Sequence, residues 1–144
     1  MIKVERSRYH VGYTTGVFDL FHIGHLNLIK NAKALCDHLI VGVNTDELVK
    51  EYKGKVPVIS FEQRLEIIGS IKYVDEAIAQ TNLDKLEAWK TLHFDALFQG
   101  DDWKGHPRYI KTEADLKTVH SDMIFLPYTK EISTTLLIQK IRNE

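Results

Sequence analysis

The chain has 144 residues, enough for one domain with an ordinary core. Hydrophobic residues make up 44% and charged residues 27%, which excludes a disordered chain. The net charge is −1, from 19 basic and 20 acidic residues, so the basic face that sequence-independent nucleic-acid binding needs is not expected.

Residues 1–8 are a polar N-terminal extension of mixed charge, unlike a signal peptide. Residues 9–15 are rich in β-branched and aromatic side chains and predict the first strand. Gly16 ends it, and a turn leads to His22 and His25 with Gly24 between them. Residues 24–35 then carry Leu26, Leu28, Ile29, Ala32 and Leu35 at helical spacing. Cys36 stands alone, so it predicts a small helix residue in a reducing compartment. The nearly continuous apolar run over 38–43 predicts a strand buried on both faces, and Asn44, Thr45 and Asp46 terminate it.

Residues 51–59, with lysines at 50, 53 and 55, a glycine and a proline, predict a mobile loop. Ser60 and Gln63 form a capping-box pattern for a helix bearing Leu65, Ile67, Ile68 and Ile71. A short strand follows over 74–79, a helix over 83–92 and a strand over 94–99 that ends at Gly100. Residues 101–107 are polar loop, 109–119 weakly patterned helix and 123–126 the last strand, stopped by Pro127. Ser133 caps a final helix over 134–141. No run approaches the roughly 20 apolar residues of a membrane span, so the cytoplasm is the expected compartment.

Strands alternate with helices and no two successive strands share a hairpin linker. The expected fold is therefore one α/β domain over 1–144, a Rossmann-like parallel sheet with helices on both faces. Ligands of such sheets bind beyond the C-terminal strand ends. Polar segments follow those ends at 15–25, 44–55, 100–103 and 128–135, so they converge on one edge.

His22 and His25 lie three apart on the opening turn of a helix and so face one side. Their N–H groups, with the helix N-terminus, suit a phosphate or a leaving pyrophosphate. Two histidines fall short of the three protein ligands usual for zinc, so no protein-held metal site is expected. Asp101 and Asp102 suit ligand positioning better than proton transfer, because a phosphomonoester is already an anionic nucleophile at neutral pH. Ser133, Thr134 and Thr135 serve as a helix cap and also offer hydroxyls and N–H groups to phosphate.

The run from Gly16 to His25 resembles the HxGH signature of the cytidylyltransferases, within the nucleotidyltransferase superfamily. Further segments match in order: 44–47, the lysine loop 52–55, Gln63–Arg64 with 72–76, 100–103 and 132–135. The resemblance implies CMP transfer from CTP to a small phosphomonoester, with Mg²⁺ screening the triphosphate and a homodimer as the assembly. It implies catalytic roles for His22, His25 and Lys53, with Lys55 as the alternative to Lys53. It places Thr15, Gly16, Val17, Phe18, Asp19, Gly24, Asp101, Asp102, Tyr128, Lys130, Ile132, Ser133, Thr134 and Thr135 at the nucleotide, where Asp19 orients a donor or lies near the metal. Arg64, Lys72 and Lys85 fall to the acceptor, Arg64 either near its phosphate or ordering the lysine loop. The chain departs from the family at Lys72 and Tyr128, where relatives carry arginine, and at Glu131, where they carry glycine. Glycerol 3-phosphate is the expected acceptor. Phosphoethanolamine, phosphocholine, another polyol phosphate, ATP in place of CTP, and a binding module without turnover remain alternatives.

Overall fold

The computed structural model describes residues 8–127, 129–130 and 132–143. Five strands, β1 (Tyr9–Gly16), β2 (Cys36–Asn44), β3 (Glu76–Gln80), β4 (Ala96–Gly100) and β5 (Asp122–Leu126), form one parallel sheet in the order β3-β2-β1-β4-β5. From β1 the chain steps outward to β2 and β3, then returns across the sheet to β4 on the other side of β1. Strand order thus reverses between β1 and β4, where such sheets bind ligands.

The helices are α1 (Ile23–Lys33), α2 (Asp46–Lys53), α3 (Phe61–Gly69), α4 (Lys85–Leu92), α5 (Pro107–Lys117) and α6 (Thr134–Arg142). Alternation along the strands shows which face each covers. Leu39, Val41, Val43 and Phe98 pack with Ile29 and Ala32 of α1 and Ile68 of α3. Their strand neighbours Ile40 and Leu97 point the other way, into a cluster with Leu92 of α4 and Leu116 of α5. The sheet is therefore covered on both faces, as expected, with two cores back to back.

Three local expectations are corrected. Residues 51–53 of the expected loop are the end of helix α2: Thr45 Oγ1 caps it by accepting from Leu48 N at 3.2 Å, and Gly54 ends it in the left-handed region at φ 78°. Buried Leu48 and Val49 fix its inner face, so Lys53 is a helix terminus. Cys36 opens β2 instead of closing α1, and burial pushes its thiol up to about 11. At Ser60 the described hydrogen bond is the cap itself, Gln63 N to Ser60 Oγ at 3.5 Å. The reciprocal capping box lies at α1, built from two histidines.

Candidate active site

His22 is the N-cap of α1 and His25 its third residue. Gly24 N donates to His22 Nδ1 at 3.0 Å, and His22 N donates to His25 Nδ1 at 3.2 Å. A ring nitrogen that accepts carries no proton, so each neutral imidazole keeps its hydrogen on Nε2. The rings stack with centroids 3.7 Å apart, and Phe18 meets His25 edge-on at 5.5 Å. A Cβ at Gly24 would come within 2.9 Å of the His22 ring, so only glycine leaves that ring its place. Burial holds both histidines below their usual range, His25 down to about 3 with help from His22.

That shift has a consequence for stability. Between pH 6.5 and 3 the unfolded chain takes up a proton that folded His25 refuses, and His22 acts in the same direction. This contribution is fully present above pH 6.5 and is lost as pH falls. For His25 we expect stability to fall below pH 6.5 by up to about 1.4 kcal/mol per pH unit. Urea titrations of the parent and of His25→Gln between pH 7 and 4.5 check it, the variant showing the shallower fall.

The turn before α1 is a junction. Phe18 and Leu20 take left-handed φ values of 55° and 49° around buried Asp19. Val58 N donates to Asp19 Oδ2 at 2.8 Å and Ile59 N to Oδ1 at 2.9 Å. Thr134 Oγ1 donates to the Asp19 carbonyl at 2.6 Å, and Ile132 lies against Gly24. The N-termini of α1 and α6 therefore converge. Asp19 thus ties the lysine segment to this turn, with one backbone N–H on each carboxylate oxygen. Among the described residues, no three of His, Cys, Asp or Glu gather as a metal-holding group.

Arg64 is 1% exposed. Its Nε donates to Ile59 O at 2.9 Å, its Nη1 to Val17 O and Asn44 O at 2.8 and 2.7 Å, and its Nη2 to Asp46 at 2.7 Å. With these donors turned inward, it ties the end of the lysine segment to the first turn and to the end of β2. Lys53 remains solvent-accessible beside the same junction. Partial burial and the neighbouring Lys55 charge lower its pKa, and Asp19 opposes them.

Thr15 and Gly16 end β1 with Val17 just past it, and Asp101 and Asp102 begin a short 3₁₀ turn just past β4. Partial burial, and secondarily the charge of Asp101, raise the pKa of Asp102. Ser133 caps α6 by accepting from Leu136 N at 3.1 Å, with Thr135 and Lys130 exposed nearby. Tyr128 and Glu131 lie outside the described residues. Lys85 opens α4, 5% exposed, its ammonium 3.3 Å from the Leu83 carbonyl, and burial and Arg108 lower its pKa to about 8. Lys72 is not brought to this site. It sits between α3 and β3, at the N-terminal end of the sheet, near the Asp75–Lys33 pair.

Sequence reasoning missed a polar tier under the same edge. Gln80 Nε2 donates to Asn44 Oδ1 at 2.5 Å, and Asn44 Nδ2 donates to the Tyr52 hydroxyl at 3.0 Å. Gln99 Nε2 donates to the Tyr109 hydroxyl at 3.0 Å. The available signal was a polar residue closing each apolar strand, at Asn44, Gln80 and Gln99.

The family model described as cytidylyltransferase-like matches residues 13–140, a span that takes in the histidine cap, the junction and the α6 N-terminus. The chain belongs to the cytidylyltransferase-like family. Its relatives include a glycerol-3-phosphate cytidylyltransferase of Bacillus spizizenii, 40% identical over 85% of this chain and 89% of that protein. An FAD synthase of Thermococcus sibiricus is 36% identical over 89% of each chain. A lipopolysaccharide core biosynthesis protein of Thermoplasma volcanium superposes with a TM-score of 0.71 at 27% identity, covering 86% of this chain and 99% of that one. These relatives make the protein an enzyme of the nucleotidyltransferase type, and they differ in what their names say they act on.

Proposed function

We propose that the protein transfers CMP from MgCTP to glycerol 3-phosphate, giving CDP-glycerol and pyrophosphate. The observation that carries this reading is the histidine capping box. Both Nδ1 atoms are occupied, so two Nε2–H donors are fixed at a helix N-terminus. An acceptor phosphate oxygen attacks the α-phosphorus in line. The bond from that phosphorus to the bridging oxygen breaks, and the electron pair leaves with pyrophosphate. His22 and His25 stabilise that leaving charge, with the N–H groups of α6 alongside. Lys53, or Lys55, spans the α-phosphate and the acceptor phosphate. Arg64 and Asp19 hold these parts in register without touching substrate. Mg²⁺ enters as part of the nucleotide substrate, bound through its phosphate oxygens. A homodimer working in the cytoplasm completes the proposal, and Lys72 reaches a site only if a second copy presents it.

The expected result is pyrophosphate release with MgCTP and glycerol 3-phosphate together and none with either alone. No release with any phospho-alcohol would overturn the reading. A second reading, adenylyl transfer from ATP, is favoured by the FAD synthase match of similar identity and coverage. Melting shifts separate the two, because a ligand at about 100 times its Kd adds roughly 2.7 kcal/mol of stability. A larger shift with CTP than with ATP supports the first.

A further inference from the structure

Four side chains at the ligand edge form one hydrogen-bonded row. It runs from Tyr13 of β1 through Gln80, at the end of β3, and Asn44, at the end of β2, to Tyr52 in the last turn of α2. Tyr13, Asn44 and Gln80 are 1%, 4% and 5% exposed, whereas Tyr52 is only half-buried.

The buried end sets the direction of the row. Burial pushes the Tyr13 pKa up, so its hydroxyl keeps its hydrogen. Gln80 Oε1, at 3.4 Å, is the hydroxyl's one hydrogen-bond partner among the described residues. A buried hydrogen without an acceptor is costly, so Tyr13 donates. The oxygen of the Gln80 amide therefore faces Tyr13, and its nitrogen faces Asn44 Oδ1 at 2.5 Å. That leaves Asn44 its Nδ2, which donates to the Tyr52 oxygen at 3.0 Å. Every link thus points one way, and each polarises the next. The hydrogen left over is the one on Tyr52, which has no acceptor among the described residues.

The Lys53 ammonium lies 5.7 Å from the centroid of the Tyr52 ring, and it also feels the Asp19 carboxylate of the histidine turn. Asn44 and Gln80 follow Ile40 and Ile78 by even steps, which puts them with Tyr13 on the α4 and α5 face of the sheet. The histidine cap opens α1, on the other face. A phosphate oxygen that Lys53 binds away from the histidines lies beside Tyr52, and an anionic oxygen is what an unused O–H lacks.

We propose that Tyr52 is a substrate-binding residue whose hydroxyl donates a hydrogen bond to the phosphate of the acceptor. Asn44, Gln80 and Tyr13 are positioning residues that hold its oxygen and turn its hydrogen outward. This rests on the cytidylyl-transfer reading above, with Lys53 as the lysine that meets the acceptor phosphate. The hydroxyl orients the attacking phosphate, and no proton is transferred.

The test measures pyrophosphate release by the full chain, varying glycerol 3-phosphate and MgCTP in turn. Tyr52→Phe keeps the ring beside Lys53 and removes only the oxygen. It should lower kcat/KM for glycerol 3-phosphate by roughly 10- to 100-fold, the range for one hydrogen bond to a charged group, with KM for CTP unchanged. Asn44→Asp keeps every hydroxyl, but a carboxylate only accepts and so draws the Tyr52 hydrogen inward. It should lose acceptor kcat/KM in the same way. Parent-like kinetics in a folded Asn44→Asp would overturn the outward direction of the hydrogen, and Tyr52→Phe decides alone if Asn44→Asp does not fold. If Tyr52→Phe keeps the parent's acceptor kcat/KM, even with a lower urea midpoint, or raises KM for CTP instead, the inference is overturned and cytidylyl transfer stands. A parent inactive with MgCTP and every phosphomonoester overturns both readings.

Discussion

Arg64→Met should cost about 3–5 kcal/mol of stability, the usual cost of removing one partner from a buried ion pair. The substitution leaves the carbonyls of Val17, Asn44 and Ile59 and the carboxylate of Asp46 without their donor. Against a typical total of about 5–15 kcal/mol, that is a large fraction. Arg64→Lys should recover little, because an ammonium is a point donor and cannot span carbonyls from three chain segments. Urea midpoints measure the loss. A variant within about 1 kcal/mol of the parent would show that the buried guanidinium is not what ties the segments together. Activity should also fall at temperatures where the variant is still folded, since the Ile59 end of the lysine segment loses its tie to the first turn.

His25→Ala and His22→Ala should each lower kcat by about 10²–10³, the loss typical of deleting one donor aimed at developing charge. KM for the acceptor should change much less, because the proposed role of the histidines is to hold the departing pyrophosphate. His22 has a second role as cap, so His22→Ala should also lose about 1 kcal/mol of stability. The informative control is His22→Asn. Asparagine keeps an oxygen to cap the helix and an N–H to offer phosphate, so it should retain more activity and stability than alanine. If His22→Ala turned over as fast as the parent, the assignment of the pyrophosphate to this cap would fail.

The histidine cap was legible in the sequence because its logic is local. Two residues three apart on a helix start must share a side, whatever the rest of the chain does. The parallel sheet was legible for a similar reason, since buried strands show as apolar runs such as 38–43. Helix α2 was hidden by its composition. Its exposed face carries Lys50, Glu51 and Lys53 ahead of Gly54, which imitates a loop, while only Leu48 and Val49 are buried. The burial of Arg64 was not readable at all, because its carbonyl partners are separated from it by up to 47 residues. Lys72 shows the opposite limit: a motif match assigns a role, and only topology shows that the residue stands at the far end of the sheet within one chain. The polar tier was visible as a set of strand terminators, but that the terminators face one another follows from register, which a single strand does not reveal.

Asp19 is bonded to residues 39, 40 and 115 positions further along the chain. Its flanking left-handed residues, Phe18 and Leu20, are conformations that non-glycine residues hold only under outside constraint. A chain made from its N-terminus therefore carries the histidine motif long before the motif has its working shape. The segment at 58–59 supplies the first two ties, and Thr134, at the start of α6, supplies the third. The turn is thus fully tied only once α6 has been made, and a fragment truncated before α6 would hold His22, His25 and Lys53 without the last tie on the turn before them.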